Sequence, residues 1–64
     1  MKTYKLYVCM PMAKFYVNVI AETVNLDDGR LDFYNESDFY NDFDLVASYP
    51  SQYTIIEKII ENEK

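Results

Sequence analysis

Apolar and polar residues alternate along most of this chain, which is the pattern of β-strands that have one side on a core. In residues 3–10 the apolar side chains Tyr4, Leu6 and Val8 occupy every second position. Pro11 follows directly, and proline ends a strand because it has no N–H to donate to a neighbouring strand. Residues 3–10 are therefore predicted to form the first strand.

Residues 13–24 show the strongest strand pattern in the chain. Phe15, Val17 and Val19 alternate with Tyr16, Asn18 and Ile20, and β-branched and aromatic residues of this kind favour strands. The second side of the run is also partly apolar. We therefore predict a long strand in the middle of a sheet, paired with residues 3–10 in a hairpin.

The remaining strands are separated by turn signals. Residues 25–29 end in Asp-Gly, a pair that tolerates the positive φ angles of a tight hairpin turn. Residues 30–35 form a third strand with Leu31 and Phe33 inward, and residues 45–49 form a fourth. Residues 36–44 lack a strand period and are predicted to form an acidic loop.

The C-terminal segment allows two structures. Isoleucines at 55, 56, 59 and 60 fit one face of a helix, and Ser51 is suitable as its N-cap. The β-branched residues of 53–60 favour a strand instead. The fold class is mainly β, a small antiparallel sheet of four to five strands, and the alternative is an α+β fold with a C-terminal helix at about 52–62.

Composition restricts what so short a chain does. Its 64 residues predict a single small domain, 1–64, with little room for a catalytic cleft. It contains no histidine and one cysteine, so the commonest general base and a clustered Cys/His zinc site are both excluded. We predict that the protein is not an enzyme and uses no cofactor and no metal.

The same composition indicates a compartment. No apolar stretch is long enough to cross a membrane, and no secretory signal is recognised at the N-terminus. One cysteine without a partner fits a reducing environment. The prediction is a cytoplasmic protein that does not contact membranes.

Charge is segregated along the chain. The net charge is −5, which disfavours binding to a phosphate backbone. Residues 1–21 carry three lysines and no acid, whereas residues 27–44 carry seven acids against Arg30, for a charge of −6. Aromatic residues are interleaved with these acids. Such rings supply large contact areas in interfaces, and the acids steer a basic partner towards them.

The acidic segment is therefore the candidate partner-binding site, and its alternative interpretation is a solvated loop that keeps the protein soluble. The predicted partner is a basic surface of another protein. The candidate site residues are Asp32, Tyr34, Glu36, Asp38, Phe39, Tyr40, Asp42, Phe43 and Asp44.

Three short stretches carry a resemblance to a known group of proteins. They are AETV at 21–24, DGRLDFY at 28–34 and LVASY at 45–49. Within residues 19–60 the chain resembles small bacteriophage and prophage accessory proteins. The resemblance implies a β-sheet that continues through the C-terminal segment, an origin in a phage or mobile element, and the cytoplasm of an infected bacterium. Small acidic proteins of that origin often inhibit a host protein by binding it.

These observations lead to two functional hypotheses. The first is a non-enzymatic inhibitor of a host nucleic-acid-binding or defence protein, whose acidic, aromatic surface mimics DNA. The second is a self-associating structural β module with no foreign target. That module is a homodimer or larger assembly, joined through Tyr7, Tyr16 or the segment 55–60.

Overall fold

The computed structural model describes residues 1–36 and 43–62, with the backbone alone at Glu36 and Phe43. The described strands are β1 (Lys2–Met10), β2 (Ala13–Ala21), β3 (Thr23–Asp27), β4 (Arg30–Glu36), β5 (Phe43–Pro50) and β6 (Thr54–Glu61). They form two antiparallel three-stranded sheets: sheet A in the order β2-β1-β6 and sheet B in the order β3-β4-β5. The mainly β prediction is confirmed, but the strands are divided between two sheets.

The predicted long strand 13–24 is interrupted at Glu22. Ala21 is the last residue of β2 in sheet A, and Thr23 is the first residue of β3 in sheet B. The backbone N–H of Glu22 donates to the carbonyl oxygen of Tyr34 at 3.0 Å and to the side-chain oxygen of Asn35 at 3.1 Å. The chain therefore changes from sheet A to sheet B at Glu22, and the backbone amide of this residue remains hydrogen-bonded.

The prediction that this run is the central strand is wrong. β1 lies between β2 and β6, so β2 is an edge strand of sheet A. The apolar residues on its second side are exposed, with Tyr16 72% and Ile20 55% accessible. Apolar residues on both sides of a strand therefore do not mark a central position here; they leave an apolar surface on the outside of the sheet.

The predicted turns are where the sequence indicated. Met10 pairs with Ala13 across Pro11-Met12, and Asp27 pairs with Arg30 across Asp28-Gly29. Asp28 has a φ of 51° and Gly29 a φ of 75°. Positive φ at both central residues is what a type I′ hairpin turn requires, and it accounts for an Asp-Gly pair at this point. The turn is shorter than predicted, because residues 25–27 belong to β3.

The C-terminal segment is a strand, and the helix alternative is wrong. Ser51 begins a 3₁₀ turn of three residues and forms no side-chain cap, and β6 then pairs with β1. Leu6 pairs with Ile56 but Lys5 pairs with Lys58, so Glu57 is an extra residue in a β-bulge. Because of the bulge, Ile56 and Ile59 both lie on the side of β6 that pairs with Leu6 and Tyr4, although they are three residues apart. Residues three apart also share one face of a helix, which is why the sequence allowed both structures.

Side chains from both sheets meet in one core. Its buried members are Tyr4, Leu6, Val19, Ala21 and Phe33, and Val17, Leu31 and Tyr49 are among the half-buried residues around them. Phe33 comes from β4 of sheet B and lies edge-on to Tyr4 of sheet A, with ring centroids 5.1 Å apart. Phe33 is therefore buried as predicted and Tyr49 packs half-buried against the core, whereas Phe15 is 37% exposed.

Candidate binding surfaces

Two of the predicted site residues lie together on sheet B. Asp32 and Tyr34 are on the side of β4 that alternates with Phe33, so they point away from the core. The Tyr34 hydroxyl donates to Oδ2 of Asp32 at 3.3 Å, and the Ser48 hydroxyl of β5 donates to Oδ1. Both carboxylate oxygens of Asp32 are therefore held in a set orientation.

Arg30 completes this polar network, which we call the Asp32 network. Its Nε donates to the Ser48 hydroxyl at 2.7 Å, and Nη2 donates to the Ser48 carbonyl oxygen at 3.2 Å. Sequence reasoning identified neither Arg30 nor Ser48 as site residues. The sequence could have indicated Arg30, because alternate residues of a strand lie on one side of the sheet and Arg30 therefore shares a side with Asp32 and Tyr34. Ser48 required the pairing of Asp32 with β5.

The electrostatics of the network keep Tyr34 a hydrogen-bond donor. Burial raises the pKa of Tyr34, and the neighbouring negative charge and hydrogen bond of Asp32 raise it further, followed by the charge of Asp27. A carboxylate favours the neutral phenol beside it because ionisation would place two negative charges together. The Tyr34 hydroxyl therefore remains protonated at neutral pH.

The other predicted site residues are only partly covered by the structure. The predicted loop 36–44 is too long at both ends, because Glu36 ends β4, Phe43 begins β5, and the two residues are paired in register. Asp44 is exposed and pairs with Asn35. Because neighbouring residues of a strand point to opposite sides, Asp44 lies on the side of sheet B opposite to Tyr34 and Leu45. Asp38, Phe39, Tyr40 and Asp42 lie outside the described residues.

A second surface covers the outer side of sheet A. Sequence analysis named Tyr7, Tyr16 and the segment 55–60 as a self-association interface but did not place Lys5, Lys14 and Lys58 beside them. The strand registers arrange its side chains in successive rows across the sheet. Those rows are Ile20–Thr3–Ile60, Asn18–Lys5–Lys58, Tyr16–Tyr7–Ile55 and Lys14–Cys9. We call this surface the lysine–tyrosine face. It alternates apolar with basic rows, and rows on one side of a strand are spaced about 7 Å apart.

The aromatic row of the lysine–tyrosine face is preformed. The rings of Tyr7 and Tyr16 have centroids 4.7 Å apart, and Ile55 on the other side of Tyr7 is 57% exposed. Burial, followed by a hydrogen bond to Cys9, raises the pKa of Tyr7, so its hydroxyl is neutral at physiological pH. The side chains of this row are uncharged and lie between two basic rows, and the exposed Glu57 of the bulge is near enough to Tyr7 for its negative charge to raise the Tyr7 pKa further.

The basic row places two like charges opposite each other. Lys5 and Lys58 are direct register partners, and both side chains are exposed. In the part of the chain that the structure describes, the ion pair joins Lys2 to Glu61 at 3.9 Å, and neither Lys5 nor Lys58 contacts a carboxylate. Like charges directly opposite on a sheet destabilise it. The fold therefore keeps an unfavourable pair on an exposed surface.

This arrangement predicts that Lys58→Gln raises the stability of the folded chain. Removing one of the two facing charges should increase the free energy of unfolding by about 0.5 kcal/mol at low ionic strength. Urea unfolding followed by circular dichroism measures the change, and added salt should reduce it. Lys14→Gln is the matched control, because Lys14 faces Cys9 rather than a lysine. Equal changes in the two variants would contradict the prediction.

The described residues contain no cluster of three or more His, Cys, Asp or Glu side chains positioned to hold a metal ion. Within the same residues, no helix is long and apolar enough to span a membrane. No protein-family model, curated protein or solved structure matches the chain. The resemblance to phage accessory proteins therefore remains a prediction based on the three stretches that carry it.

Proposed function

We propose that this chain is a non-enzymatic protein-binding module that recognises a basic surface of another protein through its acidic 32–44 segment. One observation carries the proposal: β4 and β5 pair as far as Glu36 and Phe43. The residues 37–42 that join these strands are thus connected to the end of a two-stranded ladder. Asp38, Phe39, Tyr40 and Asp42 all belong to this connection.

The described part of sheet B supplies surroundings suited to such contacts. Leu45 is exposed and pairs with Tyr34, so an apolar side chain and a phenol ring lie next to one another on the outer side. The Asp32 network holds a carboxylate beside them. Aromatic rings next to oriented charges are typical of interface anchors, where the rings supply affinity and the charges orientation.

The kind of partner follows from charge and from the resemblance. Seven acids against one base within residues 27–44 favour a basic surface, such as one that would otherwise bind nucleic acid. We therefore propose an inhibitor from a phage or mobile element that mimics DNA and acts on a host nucleic-acid-binding or defence protein in the bacterial cytoplasm.

Affinity capture tests the proposal. The tagged chain is used to capture proteins from a bacterial lysate, alongside a variant with Asp38, Asp42 and Asp44 changed to Asn. We expect a specific basic protein to be captured by the parent chain and lost in the variant. A control with Glu22, Glu57 and Glu61 changed to Gln removes the same charge elsewhere and should retain capture. Loss in both variants would show that net charge alone is responsible.

The identified partner allows a quantitative prediction. Phe39→Ala or Tyr40→Ala should weaken binding by about 2 kcal/mol or more, which is about 30-fold in the dissociation constant. Binding should also weaken steeply as salt is added, because the acids are exposed to screening. Titration calorimetry at two salt concentrations measures both effects. Equal affinity at low and high salt would contradict the electrostatic part of the proposal.

A further inference from the structure

We propose that the lysine–tyrosine face of sheet A is a docking surface for a second copy of this chain, which presents its acidic sheet B. The proposed function does not use the lysine–tyrosine face, but the sheet B surface of the second copy includes Asp32 of the acidic 32–44 segment. Its starting point is the Lys5–Lys58 pair, which is unfavourable in an isolated molecule and becomes favourable when carboxylates approach it.

The apolar rows on either side of this pair give the surface its contact area. Tyr16, Ile20 and Ile55 are each more than half exposed, although all three lie on the same side of one sheet. A group of exposed apolar side chains surrounded by charge is typical of a contact surface rather than of a solvated one. The lysines then determine which surface is bound.

Charge complementarity favours a second copy as the occupant. The lysine–tyrosine face carries three of the six basic residues in the chain, Lys5, Lys14 and Lys58. The outer side of sheet B and the exposed hairpin turn beside it carry Asp27, Asp28 and Asp32 against Arg30, whereas Asp44 lies on the other side of the sheet. One molecule therefore has both halves of an electrostatically complementary pair, on different sheets.

The same charges exclude a symmetric contact between two lysine–tyrosine faces, because that contact would bring six lysines together. A contact between sheet A of one copy and sheet B of the next is heterologous, and a heterologous contact propagates unless the rotation closes a ring. Sheet A has three strands spaced about 4.8 Å apart, so the face is narrow and the interface is small. Association should accordingly be weak and should increase steadily with protein concentration.

Sedimentation velocity tests the proposal with the full chain. Samples from about 10 µM to about 1 mM are compared at about 50 mM and about 500 mM salt, a range over which exposed charges become strongly screened. We expect the mean mass to rise with concentration at low salt and to return towards that of the monomer at high salt. A monomer under all conditions, or association that salt strengthens, would overturn the proposal.

Single variants place the contact on sheet A. Lys5→Gln and Tyr16→Ala should each move the onset of association to a concentration at least several-fold higher. Gln52→Glu is the control for Lys5→Gln, because it changes the net charge by the same amount at an exposed residue of the 3₁₀ turn. Met12→Ala is the control for Tyr16→Ala, because it removes an apolar side chain that is 96% exposed in the first hairpin turn. Both controls should associate like the parent chain. Association unchanged in Lys5→Gln and Tyr16→Ala would overturn the assignment.

Two further measurements separate the possible outcomes. Circular dichroism should show each variant folded, and the melting temperature of Lys5→Gln should be equal to or above that of the parent chain. A chain that stays monomeric but binds an acidic peptide through Lys5 would show that the occupant is a foreign protein and not a second copy. Tyr16→Ala should leave lysate capture unchanged, so failure of self-association and failure of the proposed function are distinguishable.

Discussion

Phe33→Ala should leave most of the chain unfolded at room temperature. The Phe33 side chain is fully buried and is the largest such side chain in the core. It contacts Tyr4 of the other sheet and Tyr49 of its own, with ring centroids at 5.1 Å and 6.4 Å. Truncation of a buried Phe costs about 3–5 kcal/mol, and a core of this size rarely supplies more than about 3–5 kcal/mol in total.

Urea unfolding monitored by circular dichroism and tyrosine fluorescence measures this loss. Phe15→Ala is the matched control: it removes the same atoms from β2, but that ring is already 37% exposed and does not belong to the buried cluster. We expect it to cost much less than Phe33→Ala. A Phe33→Ala variant that unfolds at nearly the same urea concentration as the parent chain would show that the two sheets do not depend on this contact.

Leu6→Ala should produce the second largest loss, about 2–5 kcal/mol. Leu6 is 1% exposed and pairs with Val17 on one side and Ile56 on the other. Since β1 is the middle strand of sheet A, a cavity at Leu6 removes contacts to both neighbouring strands. The loss should therefore affect all of sheet A at once.

Hydrogen exchange of backbone amides tests this consequence. In Leu6→Ala, amides of β2 and β6 should lose protection together, because both strands depend on β1. Ile55→Ala is the control on the outer side of the same sheet, where the side chain is 57% exposed. Loss of protection confined to one neighbour of β1 would contradict the central position of this strand.

Local chemistry was sufficient to locate most strands and both tight turns. Alternation placed Tyr4, Leu6 and Val8 on the inner side of β1, where all three are buried. The Asp28-Gly29 pair identified its hairpin because few other residue pairs accept positive φ at both positions. These features depend on neighbours within a few residues, so they can be read directly from the order of residues.

The C-terminal segment shows where local pattern becomes ambiguous. Isoleucines at 55, 56, 59 and 60 match a helical face, yet they form β6 with Glu57 as a bulge. A single extra residue changes the period of a strand from two to three at one point. Only the open edge of β1 supplies the hydrogen-bond partners that make the strand, and that edge is more than forty residues away in the chain.

The two candidate surfaces also differ in how far the sequence alone could predict them. The acidic 32–44 segment is contiguous in the chain, so its charge and its rings could be identified from composition. The lysine–tyrosine face unites Lys5 of β1, Tyr16 of β2 and Lys58 of β6. No local pattern indicates that these residues are neighbours.

Residue order thus established strand content, tight turns and a segregated charge, because each arises from side chains adjacent in the chain. The three-dimensional fold was needed to establish that β1 is central, that the chain changes sheets at Glu22, and that Lys5 faces Lys58. Those features follow from pairing between distant strands, whose backbone groups are chemically alike in every strand. The choice among such pairings depends on which side chains pack around Phe33 and the rest of the core.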